Sequence, residues 1–190
     1  LLSCNLMSKR KDKANLKDIN FKKINFLNHS KRYLKWVNDL TVTKFTELKN
    51  KKINKTELNN YILEKKNSKN EFLFGIFFKK KYVGNIKIGP INKKKKSAQI
   101  GYLIGEKKYW NKGIASLSIQ KIVKFGFHRL KLKTIVSNSE QKNFYSSKAL
   151  IRNKFKKVSI KKKNKRNLII YKTYNPKFYS KWKTIKNYSL

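Results

Sequence analysis

The sequence predicts a mixed α/β fold of the α+β kind, in one domain with about seven strands and about four helices. Three observations lead there. Apolar runs of strand length alternate with runs whose apolar residues recur at helical spacing. Their order is strand, helix, helix, three strands, helix, strand, helix, two strands. And the stretch from Ala98 to Ser116 reads as strand, glycine-bearing loop and helix start, which aims free backbone N–H groups and a positive helix-dipole end at one spot. Such a spot suits a phosphate or pyrophosphate.

The elements follow in chain order. Asp18 to Leu27 alternates loosely and fits a first strand. Asn28-His-Ser30 offers capping chemistry ahead of a helix over 31–37, with Tyr33, Leu34 and Val37 at helical spacing and Trp36 beside them. Asn38-Asp39 ends that helix, and 42–45 leads into a polar loop. A second helix spans 56–64, with Leu58, Tyr61 and Ile62 on one face. Phe72 to Phe78 and Tyr82 to Ile91 read as a hairpin around Lys79-Lys-Lys81. Gly84 and Gly89 suggest a bulge or a close backbone approach, and Pro90 ends the run. The next strand is 98–105. A helix over 113–130 follows, with a predicted apolar stripe of Ala115, Ile119, Ile122, Val123, Phe127 and Leu130. His128 near its end reads as a surface or dipole-facing side chain. Lys133 to Ser137 is short and β-branched, hence a buried strand. Helix 143–153, the hairpin of 155–161 with 167–174, and Pro176 close the core.

Composition bounds the function. At 190 residues, 39% hydrophobic and 13% aromatic, the chain can bury a sizeable core. No apolar run approaches the roughly 18 residues of a membrane span. Leu1 to Met7 is short and apolar, too short for a signal peptide core with its cleavage site; because the sequence begins with Leu, a true start at Met7 or a fragment is the expectation. The single cysteine, Cys4, lies in that segment and excludes an intrachain disulfide framework or a cysteine-based zinc site. His29 and His128 are far apart, so no metal site is expected, and the chain reads as cytoplasmic. The net charge is +41, from 50 Lys+Arg and 9 Asp+Glu. A polyanion or ribosome partner would suit that charge. So does a plainer account. Lys, Asn and Ile share A/T-rich codons, and Arg occurs only at 10, 32, 129, 152 and 166.

Two motifs carry a resemblance. Trp110-Asn-Lys-Gly-Ile-Ala115 resembles the acyl-CoA pyrophosphate loop of the GNAT superfamily of N-acetyltransferases, in particular its RimJ/RimL-like branch. Gly113 and Ala115 match the last two fixed positions, and Trp110 stands where Gln or Arg is usual. Asn143-Phe-Tyr-Ser146, with Ala149, Leu150 and Phe155, is similar to the Asn-x-x-Ser … Leu-x-x-x-Gly-Phe helix of that branch. Lys154 replaces the usual Gly, which predicts a less sharply terminated helix. Trp36, Asn38, Asp39 and Val42 resemble the N-terminal helix and following loop, a region that in this family forms part of the acceptor pocket. Trp36 itself reads as a core anchor.

The resemblance implies a single GNAT-like domain over 15–176, with tails at 1–14 and 177–190. Its central sheet would be mostly antiparallel and splayed at the cofactor site. It implies acetyl-CoA as co-substrate, with no metal. The loop residues Trp110, Asn111, Lys112, Gly113, Ile114, Ala115 and Ser116 would hold the pyrophosphate, and Gly113 also reads as an ordinary turn glycine. The backbone of Tyr102, Leu103 and Ile104 would line the pantetheine arm, one N–H there polarising the thioester carbonyl. Asn143 would contact pantetheine, and its position equally fits a helix N-cap. Ser146 would protonate the departing thiolate. Leu150 stands where other branches place a Tyr acid; Tyr145 is a neighbouring candidate that reads as packed. Glu106 is the best-placed general base, with a surface glutamate as the plainer account. Leu117 stands where many relatives carry Glu, so that role is not carried over.

The implied activity is N-acetyl transfer to a primary amine by direct attack in a ternary complex. The acceptor is a small amine, such as a nucleotide-linked amino sugar, or a (ribosomal) protein N-terminus. The segment Gly84 to Pro90 leans towards sugar-modifying relatives. A basic RNA- or ribosome-associated protein and a GNAT scaffold without catalysis are the alternatives. A monomer or homodimer is expected. P-loop and dinucleotide fingerprints are absent from the sequence.

Overall fold

The computed structural model describes residues 14–24 and 26–179. Cys4, Met7, Trp182 and Tyr188 lie outside them. Seven strands form one sheet: β1 (Ile19–Lys23), β2 (Phe72–Phe78), β3 (Lys81–Asn92), β4 (Ser97–Ile104), β5 (Thr134–Glu140), β6 (Lys156–Lys163) and β7 (Arg166–Tyr174). The spatial order is β1-β2-β3-β4-β5-β7-β6. Only β4 and β5 run parallel; the other neighbours are antiparallel. The four predicted helices are α1 (Phe26–Val37), α3 (Lys55–Asn67), α4 (Ile114–His128) and α5 (Phe144–Arg152). Two single-turn pieces, α2 (Leu40–Thr43) and α6 (Pro176–Tyr179), add to them.

The sheet separates two apolar layers. On one face Ile114, Ile119 and Ile122 of α4 and Leu150 of α5 join Ile76, Ile86, Ile88 and Ile100. On the other, Tyr33, Trp36 and Val37 of α1 meet Leu58 and Ile62 of α3, together with Phe77 and Tyr82. Successive side chains of a strand point to opposite faces. Accordingly Ile100, Tyr102 and Ile104 of β4 belong to the first layer and Leu103 to the second. Trp36 is 3% exposed, the core anchor its type suggests.

Several boundaries differ from the sequence reading, each for a local reason. Helix α1 begins at Phe26, so Asn28-His-Ser30 lies inside it and β1 stops at Lys23. The helical face reaches back to His29, whose ring meets Tyr82 at 4.8 Å, and His29, Tyr33 and Trp36 stand at i, i+4 and i+7. Asp39 ends α1 but also caps α2, its Oδ1 accepting from Thr41 N at 2.9 Å and Val42 N at 3.3 Å, so 42–43 is helical. Strand β3 runs through Pro90 to Asn92, because a register shift between Ile88 and Ile91 lets the pairing resume. On α4 the buried seam is Ile114, Ser118, Ile119, Ile122 and Gly126. Ala115 lies off it; two seam positions carry small residues that an apolar stripe does not count.

Helix α5 is sharply terminated, contrary to expectation. Lys154 takes φ 62°, the left-handed conformation usual for Gly. Lys154 N donates to Ile151 O (3.0 Å) and Phe155 N to Leu150 O (3.2 Å), the two bonds of a Schellman motif. Phe155 and Leu150, both buried, supply its apolar contact. The motif forms in spite of the residue, so Lys154→Gly is expected to stabilise the fold by about 1 kcal/mol. Denaturant titration checks this; an unchanged or lower midpoint would contradict it. Strand β6, exposed throughout, forms an edge dressed in lysine, which blunts edge-to-edge pairing.

Candidate functional site

Strands β4 and β5 part company. They pair only from Ser97–Thr134 to Ile100–Ser137. Beyond Ile100, β4 keeps its partner β3 while β5 pairs with β7. A gap therefore opens beside Gly101 to Ile104. Gly105 N donates to Val83 O of β3 at 3.0 Å. Backbone direction alternates along a strand, so the polar groups of Leu103 face β3 and those of Tyr102 and Ile104 face the gap. Of the three predicted residues, two turn their backbone to the open side. Gly84 makes the β3–β4 approach possible: a Cβ there would stand 2.2 Å from Leu103 O.

Helix α4 starts at the mouth of this gap. Its N-cap is Gly113, with φ 81° and ψ 0°, and no side chain caps it. The first N–H groups of a helix have no intrahelical partner, so those of Ile114, Ala115 and Ser116 point outwards. A Cβ on Gly113 would meet nothing within 4 Å. Asn111, at φ 60°, is also left-handed, so the loop turns tightly just ahead of the helix. The predicted loop residues thus lead into one uncapped helix end. Trp110 is used differently: its indole Nε1 donates to Ile104 O at 2.7 Å, locking the loop onto the end of β4. Ser116 Oγ and O each accept from Asn153 Nδ2 at 3.0 Å, tying the first turn of α4 to the end of α5.

Helix α5 faces the gap from the β5 side. Asn143 is its N-cap, its Oδ1 accepting from Ser146 N at 3.1 Å. Ser146 Oγ lies 2.7 Å from the Tyr102 hydroxyl, a contact that spans the gap. Burial pushes the Tyr102 phenol up to about 12, although the Ser146 hydrogen bond pulls the other way. Its proton therefore stays in place at neutral pH. Tyr145, read as packed, is 75% exposed, and neighbouring Phe144 is 76% exposed. Both lie on the outward side of the first turn, away from the buried Ala149 and Leu150.

Past the end of β4, Gly105 passes under Trp36; a Cβ there would lie 2.0 Å from Trp36 Cδ2. Glu106 follows, its Oε1 3.7 Å from Arg32 Nε. It borders a cavity of about 830 Å³ between α1, the β2–β3 turn and the 3-10 turn Lys107–Tyr109. Among the described residues no cluster of His, Cys, Asp and Glu could hold a metal ion. No described helix is long and apolar enough to cross a membrane.

Comparison with known proteins decides the family. The acetyltransferase (GNAT) domain model matches residues 25–156, well over half of the chain. The chain belongs to the GNAT acetyltransferase family. An uncharacterised N-acetyltransferase, p20, of Bacillus licheniformis is 33% identical over 78 residues, which cover 41% of this chain and 43% of that relative. The structure of a GNAT-family acetyltransferase from Bacillus anthracis aligns with a TM-score of 0.72 at 20% identity, covering 86% of this chain and 97% of that one. RimL, a ribosomal L7/L12 α-N-protein acetyltransferase solved with coenzyme A, aligns with a TM-score of 0.72 at 16% identity, covering 83% and 94%. These two likenesses are of fold. Within the GNAT frame, the Tyr102–Ser146 contact, the Trp110 clamp and the Asn153 brace are the features that sequence reasoning missed. Each depends on a side-chain donor or acceptor whose partner lies in another element.

Proposed function

We propose that this GNAT chain is an acetyl-CoA-dependent N-acetyltransferase of the RimJ/RimL-like kind, transferring acetyl directly to a primary amine in a ternary complex. One observation carries the reading. The uncapped N-terminus of α4 opens beside the gap in the sheet, and Tyr102 and Ser146 are hydrogen-bonded across that gap. The residues present suit a ligand with a pyrophosphate at one end and a narrow arm at the other. The turn from Asn111 to Ser116 would seat the pyrophosphate, with no Cβ at Gly113 in the way. The gap-facing backbone of Tyr102 and Ile104 would line the arm, with Asn143 holding the first turn of α5 against it.

Acetyl-CoA, when bound, supplies the acetyl group as a thioester. The Ile104 N–H, directed into the gap, would polarise its carbonyl. Glu106 would accept the proton that the amine nitrogen loses as the N–C bond forms, directly or through one water. Ser146 would give its hydroxyl proton to the sulfur as the C–S bond breaks, and solvent resets both groups. Tyr102 would hold the Ser146 hydroxyl in place and, being protonated at neutral pH, can refill it. The acceptor would be a small amine, such as a nucleotide-linked amino sugar, or a protein N-terminus.

Release of free thiol from acetyl-CoA across an amine panel tests the activity. Ser146→Ala is expected to lower kcat about a hundredfold, within the range for general-acid groups, with KM for acetyl-CoA within about twofold. Tyr102→Phe should cost about tenfold in kcat, since it leaves Ser146 in place but unheld. A Ser146→Ala enzyme with wild-type kcat would remove the serine from the reaction.

A further inference from the structure

The cavity beside Glu106 has a chemical character of its own. Six of its eleven lining residues are Lys or Arg, against 50 of 190 in the chain, so it is cationic even beyond the general bias. The charges converge from three separate places: Lys31, Arg32 and Lys35 from α1, Lys80 of the β2–β3 turn with Lys81 at the start of β3, and Lys108 from the 3-10 turn. Arg32 is one of only five arginines; its side chain is half-exposed, and two contacts orient it. Its NH1 donates to Tyr82 O at 3.2 Å and its Nε faces Glu106. A braced guanidinium is a planar donor already ordered for an oxyanion.

The acidic groups nearby are few, and each faces a cation. Glu106 is paired with Arg32, and Asp39 with Lys107 at 2.7 Å. Six cations surround one carboxylate, Glu106, so the cavity as a whole repels a polycation, and its concave wall concentrates that field on whatever enters. Phe77 and Tyr82 add ring surface to the lining, and the volume lies within the range of small-molecule sites.

We infer that the amine acceptor carries a phosphate or diphosphate group, seated by Arg32, Lys35 and Lys108 in this cavity, and that polyamines are refused. The inference rests on the acetyltransferase reading above. It makes the cavity an anion seat at the end of β4, beside Glu106. The amine of such an acceptor is held beside Glu106 by its own phosphate.

Inorganic pyrophosphate is the probe, titrated calorimetrically into the full chain already saturated with CoA, at about 0.15 M salt so that diffuse attraction is screened. The expected result is one saturable site with a Kd below about 1 mM. Arg32→Met, and separately the pair Lys35→Met with Lys108→Met, should each weaken it at least about tenfold. The pair Lys156→Met with Lys161→Met, which removes the same charge from exposed β6, should change it less than about twofold. Spermidine at equal concentration should not bind the loaded protein. An absence of saturable pyrophosphate binding, equal weakening by the β6 pair, or spermidine binding in the cavity would each overturn the proposal. Failure of the underlying reading is a separate result, because CoA would then not saturate the chain in the first step.

Discussion

Gly113→Trp is expected to abolish acetyl-CoA binding while the fold survives. The two effects separate because of the geometry at this residue. A Cβ on Gly113 meets nothing within 4 Å, so a side chain there collides with no part of the protein. The folding cost is the left-handed φ of 81°, about 1–2 kcal/mol for a residue with a Cβ. The open space it would fill lies ahead of the Ile114, Ala115 and Ser116 amides, where the proposed pyrophosphate sits. An indole there both blocks the anion and turns its charge away from the helix dipole. We expect the affinity to fall at least about a hundredfold, equivalent to ~2.7 kcal/mol. The melting temperature should fall by only a few degrees, about what that strain costs a domain of this size. Calorimetric titration beside a thermal melt reads both. Unchanged affinity would move the CoA site elsewhere.

Gly105→Ala is expected to have the largest effect on stability. Its Cβ would lie 2.0 Å from Cδ2, 2.2 Å from Cγ and 2.5 Å from Cε3 of Trp36. The ring cannot step aside. It is 3% exposed and sits 4.7 Å, centroid to centroid, from Tyr82 in the same cluster. Overpacking a core in this way costs about 3 kcal/mol, or roughly 10 °C in a domain of this size. A chain with a typical stability of about 5–15 kcal/mol would lose a large share of it. The double variant Gly105→Ala with Trp36→Leu should recover part of the loss, since the smaller side chain vacates the contested space. Thermal melts of the three variants check this. A Gly105→Ala melt within two degrees of wild type would show that the ring has room to move.

What was legible in the sequence was local. Strand β2 falls on Phe72–Phe78 as the apolar run predicts, because the run is bounded by polar breaks. Asn143 caps α5 where the motif places it, since capping is decided within four residues. The Gly84 approach was visible as a glycine in a strand, though not its partner, Leu103 O. What was not legible depends on residues far apart. Tyr102 meets Ser146 across 44 positions and Asn153 meets Ser116 across 37. Trp110 stands at the loop position of Gln or Arg, yet its indole N–H is spent on Ile104 O. No periodicity predicts a side chain that reaches back to its own preceding strand. Lys154 misled for a related reason: propensity favours Gly there, but buried Phe155 and Leu150 hold the turn regardless. Ser118 and Gly126 hid the seam of α4 because burial followed size rather than polarity.

A built CoA site has to be told apart from diffuse attraction, because a charge of +41 would attract any polyanion. Titration of acetyl-CoA into the wild-type chain at about 0.15 M and about 0.5 M salt separates the two. A built site gives one-to-one stoichiometry at both salt levels, with a loss of affinity smaller than about tenfold. Binding without fixed stoichiometry that vanishes at the higher salt would contradict it and leave only diffuse attraction.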